Sequence, residues 1–267
     1  MNYLLLVEGA RTEINIFQRV LERYRMKVVR HSQLQSFTDL KDVDLDGIEL
    51  QGEKGVVLIA QAPRNRLSDL IKYYEREKVD LHFAFGGRNT PFNGIFLVFD
   101  VDHTSKEDLN KMFSKHCDET DVGLLLISSP CIEIMTEPER TEELKTDHLW
   151  KYKHQRNTYI SDTLKQGTSA EQYISDHFEE LAVSFLDRNT RESDDTNVMN
   201  HPEEVIRLVN ERNDRTEEEV IYRYFTTVVY VLFACVFRLN VQVDNYNALR
   251  EFLISHKKPN PLHPVTL

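Results

Sequence analysis

Tyr3-Leu4-Leu5-Leu6-Val7-Glu8-Gly9 and Ile95-Phe96-Leu97-Val98-Phe99-Asp100-Val101-Asp102 are apolar runs that each stop on a carboxylate. A short continuous apolar run reads as a strand buried on both faces, the habit of a parallel sheet. Glu8-Gly9-Ala10-Arg11 makes the turn after the first run, and Thr12 reads as the N-cap of a helix to about Arg25 with Ile14, Phe17, Val20 and Leu21 on one face. Further strands are expected at Met26–Arg30, Val56–Ala60 and Val122–Ile127, with helices over Arg64–Glu77 and Lys106–His116. Residues 32–55 are polar and aperiodic and read as a loop or insertion. Strands alternating with helices imply an α/β domain with a largely parallel sheet flanked by helices, over residues 1–145.

Beyond residue 145 the pattern becomes mainly helical. Helices are expected over Ser169–Leu186, Pro202–Asn213, Thr216–Leu239 and Asn245–His256, with a polar linker at Asp187–Asn200. Residues 146–267 are thus expected as a helical C-terminal domain. The apolar stretch Phe225–Leu239 is shorter than the ~20 residues that cross a bilayer and reads as a buried helix.

The chain has 267 residues and a formal net charge of −11, which argues against a broad basic nucleic-acid coat but leaves room for a local basic patch beside a metal site. Three scattered cysteines form neither a disulfide framework nor a CxxC zinc site. They suit a reducing cytoplasm. The N-terminus lacks a basic n-region and a long h-region, so no signal peptide is expected. No GxxxxGK[ST] occurs, so any ATP requirement would fall to another subunit.

Acids close three of the apolar runs: Glu8, with Glu13 a helical turn later; Asp100 and Asp102; and Glu133, in Ser128-Ser129-Pro130-Cys131-Ile132-Glu133. Hard divalent cations prefer carboxylate oxygens, and in an open α/β sheet the carboxyl ends of the strands line the ligand crevice. Residues i and i+2 of a strand share a face, so Asp100 and Asp102 are suited to bind on one side.

Val7-Glu8-Gly9-Ala10-Arg11-Thr12-Glu13, then Phe99-Asp100-Val101-Asp102, resembles the TOPRIM domain of nucleases, topoisomerases and primases. With Ser128–Glu133 added, the pattern is closest to the OLD and RloB branch. The resemblance covers about residues 1–135. It implies a Mg²⁺- or Mn²⁺-dependent nuclease, the effector of a bacterial anti-phage defence system working beside an ABC-type ATPase. It assigns Glu8 as the metal-linked acid/base, Asp100 and Asp102 as catalytic metal ligands, and Glu13 and Glu133 as second-metal ligands. Assembly of several copies is compatible with it.

Two other readings compete. Asp100-Val101-Asp102-His103-Thr104 fits the DxDxT motif of haloacid-dehalogenase phosphatases, with Asp100 as nucleophile and Asp102 as acid/base, but leaves Glu8-Gly9 without a part. A subunit with a degenerate site, docking through the apolar stripe around Val228–Val236, is the non-enzymatic reading.

Residues 1–31 carry six basic and three acidic side chains, and Arg19 and Arg23 on the first helix are candidates for a nucleic-acid backbone, with Arg11 at its start as a phosphate contact. A solvated helix face explains them equally well. Lys151, Lys153, His154 and Arg156, interleaved with Tyr152 and next to Trp150, read first as a packed hinge and second as a base-stacking surface. His103 is placed to orient water or phosphate beside the acids, although an ordinary loop histidine explains it more cheaply.

Overall fold

A computed structural model describes residues 1–45, 47–86, 90–101, 104–137, 144–146, 149–164, 167–192, 220–222, 225–237, 251 and 253–255. Five parallel strands form the centre: β1 (Asn2–Val7), β2 (Met26–His31), β3 (Gly55–Gln61), β4 (Gly94–Asp100) and β6 (Gly123–Ser129), in the order β2-β3-β1-β4-β6. Leu4, Leu5 and Leu6 of β1 are wholly buried. Each such side chain stabilises the fold by about 2 kcal/mol, which is why the run has no polar alternation.

The strand order dictates where the helices go. The crossover through α1 (Thr12–Arg23) runs from β1 toward β2, whereas those through α2 (Leu67–Glu77) and α4 (Lys106–Lys115) run the opposite way, toward β4 and β6. Right-handed crossovers of opposite direction lie on opposite faces. Accordingly α2 packs on α4, with the short α3 (Leu81–Ala84) following α2, and α1 has the other face. One helix covers a sheet face poorly. The C-terminal region fills the gap: α6 (Ala170–Asp176) and α8 (Val231–Phe237) pack on α1, and α7 (Phe178–Glu192) brings Phe178 against Phe17 with ring centroids 6.3 Å apart. One buried apolar cluster runs through both regions.

The remaining strands are antiparallel. β5 (Cys117–Asp118) and β9 (Phe225–Thr226) both pair with the outer edge of β6, and β7 (Leu144–Thr146) pairs with β8 (Val220–Tyr222) in a separate two-stranded sheet. α5 (Leu149–Tyr159) continues into a π-helical turn at Ile160–Leu164.

Several expectations need correction. The helix expected over Thr216–Leu239 is instead β8, β9, a 3-10 turn at Val228–Tyr230 and α8. Its β-branched and aromatic residues suit a strand, and the edge of β6 needed a partner. Thr227 closes that edge, its N–H donating to the Ile127 carbonyl and its hydroxyl accepting from the Ile127 N–H, both at 2.9 Å. The helix expected over Ser169–Leu186 breaks at His177 into α6 and α7. Part of the expected linker is helix, since α7 meets neither glycine nor proline before Glu192 and elongation costs little once a helix has begun. The expected loop 32–55 contains a 3-10 turn, Phe37–Asp42, opened by a Ser36–Asp39 capping box and anchored by buried Leu34, Phe37, Leu40 and Leu45. Pro202–Asn213 lies outside the described residues, and of Asn245–His256 only 251 and 253–255 are described, as helix. No helix among the described residues is long and apolar enough to cross a membrane.

Candidate functional site

From β1 the chain leaves to one side and from β4 to the other. The carboxyl ends of these neighbours therefore flank the switch point of the sheet, where open α/β sheets hold ligands. Glu8 directly follows β1, and Asp100 ends β4. The Asp100 N–H donates to Glu8 Oε2 at 3.0 Å, and the Glu8 N–H donates to the Val98 carbonyl at 3.0 Å, so the backbone sets the spacing of the two acids. At the end of β3, the Gln61 amide donates to the Glu8 carbonyl at 3.1 Å and steadies the turn from the other side.

Glu13 enters from the first turn of α1 and is buried. Its carboxylate folds back over Gly9, where a Cβ would come within 1.9 Å of Glu13 Oε2. A side chain at this position would displace the flexible end of Glu13, so the absence of one lets that carboxylate lie over the turn. Thr12 does not cap α1: Arg11 occupies the N-cap position, without a side-chain hydrogen bond to the helix. That end of α1, with its backbone N–H groups, opens beside Gly9 and favours negative charge.

The third acid follows β6. Beyond the cis peptide Ser129-Pro130, a 3-10 turn at Ile132–Thr136 buries Glu133, and the Ile132 N–H donates to Asp100 Oδ1 at 3.0 Å. Asp100, Cys131 and Glu133 offer ligand atoms that all lie within 4.8 Å of one another. Burial raises the Cys131 thiol well above its usual value, and the charges of Glu133 and Asp100 raise it further. The carboxylate oxygens of Asp100 and Glu133 are the hard donors that suit Mg²⁺ or Mn²⁺.

Lys153, from α5, completes the site. Its ammonium donates to Asp100 Oδ2 at 3.0 Å and lies 4.0 Å from Glu133 Oε2. Two neighbours on α5 hold it there: the Tyr152 hydroxyl donates to Glu137 Oε2 at 2.9 Å, and Arg156 pairs with Glu137 at 3.0 Å while its Nε donates to Thr136 Oγ1 at 3.0 Å. α5 is thus fastened to the turn that carries Glu133.

Charge is unbalanced. Burial raises the Asp100 carboxyl well above the usual range; Lys153 opposes this, and Glu13, Glu8 and Glu133 add to it. Among the described residues, Glu8, Glu13 and Glu133 surround Asp100, the Lys153 ammonium lies within 4.0 Å of Asp100 and Glu133, and buried Glu133 Oε2 has no hydrogen-bond partner. Such a cluster takes up protons or a cation, and its oxygen donors fit Mg²⁺ or Mn²⁺.

The structure brings together Glu8, Glu13, Asp100 and Glu133 of the expected residues. Asp102 and His103 lie outside the described residues. Arg11 is exposed beside Gly9, and Arg19 is exposed on α1. Arg23 lies at the far end of α1 from Glu13 and holds Glu179 with two hydrogen bonds of 3.0 and 3.1 Å, together with the Ser175 carbonyl. Its contacts tie α1 to α6 and α7. The sequence reading passes over Lys153 as a site residue; the signal was a basic run without acids in a strongly acidic chain. Set against known proteins, the chain matches no family model, and neither a curated protein nor a solved structure is significantly similar to it.

Proposed function

We propose that this protein is a Mg²⁺- or Mn²⁺-dependent nuclease hydrolysing phosphodiesters of DNA or RNA. One observation carries the reading: Asp100 ends β4 at the switch point with Glu8, Glu13 and Glu133 gathered around it, and it pairs with the partly exposed ammonium of Lys153. Asp100, Glu133 and Glu13 would hold the metal, with Asp102 as the expected further ligand. The metal supplies Lewis-acid polarisation of the scissile phosphate and offsets the charge that develops there. Glu8, whose carboxylate is oriented by the Asp100 N–H, accepts a proton from the attacking water. The Lys153 ammonium, about a third exposed, gives a phosphate oxygen a charge-assisted hydrogen bond. Arg11 and the N-terminus of α1 favour the phosphate on the other flank.

A phosphatase acting through Asp100 and Asp102 leaves Glu8, Glu13 and Glu133 without a part. The TOPRIM resemblance adds the expectation of an ATPase partner and a role as toxic effector in anti-phage defence. The test is incubation of wild type and Asp100→Ala with plasmid, single-stranded DNA and tRNA under Mg²⁺, Mn²⁺ or EDTA. Metal-dependent cleavage that falls about a hundredfold or more in the variant is expected. Cleavage undiminished by EDTA, or equal in both proteins, refutes the proposal. Phosphomonoester turnover at full rate in Glu8→Gln would favour the phosphatase instead.

A further inference from the structure

Trp150 is the sole tryptophan of the chain and is 65% exposed. It stands on α5 three residues before Lys153, and residues at i and i+3 of a helix are neighbours on one face. The ammonium of Lys153 reaches Asp100, so Trp150 stands on the helix one turn from the group that contacts the phosphate in the proposed reaction. α5 has no Asp or Glu and three Lys or Arg, within a chain of net charge −11. Arg156 is taken up by Glu137, so the partly exposed Lys153 ammonium is complementary charge that a polyanion meets beside the acids. The other aromatic of this turn is not on offer: Tyr152 is buried, with its hydroxyl on Glu137. The same contact, together with Arg156, holds the helix that carries Trp150 in place.

From this placement we infer that Trp150 is a stacking platform for an unpaired nucleobase next to the scissile phosphate, which makes single-stranded nucleic acid the preferred substrate class. The inference rests on the nuclease reading and adds the strandedness of its substrate. Every base presents a π-face, so the platform is tolerant of sequence. A base inside a duplex has both faces covered by its neighbours and cannot stack on the indole without leaving the helix.

Trp150 alone supplies the intrinsic tryptophan fluorescence, which makes the test direct. Full-length Asp100→Asn protein is titrated with a labelled single strand of about twelve nucleotides and with the corresponding duplex. Anisotropy follows binding, and tryptophan emission follows stacking. The single strand is expected to quench the emission and to bind more tightly than the duplex. Adding Trp150→Ala is expected to weaken single-strand binding about five- to hundredfold, with duplex binding little changed, while Trp150→Phe keeps most of the affinity. Circular dichroism of each variant checks its fold. Binding without quenching, unchanged by Trp150→Ala, overturns the platform and leaves the nuclease reading standing. Equal quenching by strand and duplex overturns the preference for unpaired bases. No binding of either nucleic acid overturns the nuclease reading and the platform together.

Discussion

Replacing Lys153 with Met removes the positive charge of the site and keeps most of the side chain's length. The ammonium lies 3.0 Å from Asp100 Oδ2. At an effective dielectric constant of ~20, that separation corresponds to about 5 kcal/mol. The Lys153 side chain is 35% exposed, so solvent screening brings the expected loss to roughly 2–3 kcal/mol. The loss depends on pH. Asp100 already titrates well above its usual range because of burial, and without Lys153 it titrates higher still. A carboxyl with a raised pKa in the folded state stabilises the fold while protonated, and that stability is lost as pH rises through the folded value. The deficit of Lys153→Met should therefore be small in acid and grow as pH rises. In EDTA at neutral or alkaline pH, thermal melts should show the variant about 4–10 °C lower than wild type. Mn²⁺ should restore more of the melting temperature in the variant than in wild type, since a cation takes over the charge balance the ammonium had provided. Equal melting temperatures across pH, or equal gains from Mn²⁺, would refute this account of the site's electrostatics.

Gly9→Ala should weaken Mn²⁺ binding, measured by calorimetry, because the added methyl would meet Glu13 Oε2 at 1.9 Å and push that carboxylate off the glycine; stability should change little, as a flexible side-chain end can move. Unaltered Mn²⁺ affinity would remove Glu13 from the ligand set. His116 is buried between the Tyr74 hydroxyl, 2.9 Å from Nε2, and the Val122 carbonyl, 2.7 Å from Nδ1, and burial lowers its pKa from 6.5 to about 4. Its neutral form stabilises the fold above pH ~6.5, and up to about 3 kcal/mol of that is lost as pH falls toward 4. Urea titrations of wild type and His116→Gln at pH 7 and pH 4.5 should converge in acid; parallel losses would refute it.

The strands with unbroken apolar runs were legible because burial on both faces leaves no room for polar residues, and their terminal acids marked the edge where the site lies. β1, β4 and β6 begin and end within two residues of their expected bounds. Elements whose form depends on a distant partner were not legible. β9 is two residues long and exists because β6 had an open edge. Residues 34–45 hide four buried apolar side chains, Leu34, Phe37, Leu40 and Leu45, in a stretch rich in acids and glutamines, with no period to betray them. Lys153 was missed because its role needs Asp100, 53 residues earlier, within reach. Carboxylates at strand ends can be placed from local pattern, whereas the cation that balances them comes from whichever element packs above.

That dependence bears on how the two halves of the chain share the work. The sheet with its adjoining turns and α1 supplies four acids and an edge, but by itself it would concentrate like charge in a buried crevice, which is costly without a cation. α5 supplies Lys153 and is pinned through Tyr152 and Arg156 to Thr136 and Glu137, directly beyond the turn that buries Glu133. Meanwhile β9 and Thr227 fasten a later segment to β6, just before that same turn. The acid-bearing turn after β6 is thus held from both sides by the C-terminal region. Any force that moves α5 moves the ammonium, the exposed indole and the grip on Glu137 together, because all three ride on one helix. Occupancy of the acid site and the position of α5 are therefore energetically linked: a cation that takes over from Lys153 frees the lysine for phosphate, and a partner that draws α5 away leaves Asp100 and Glu133 to be balanced by protons or metal alone.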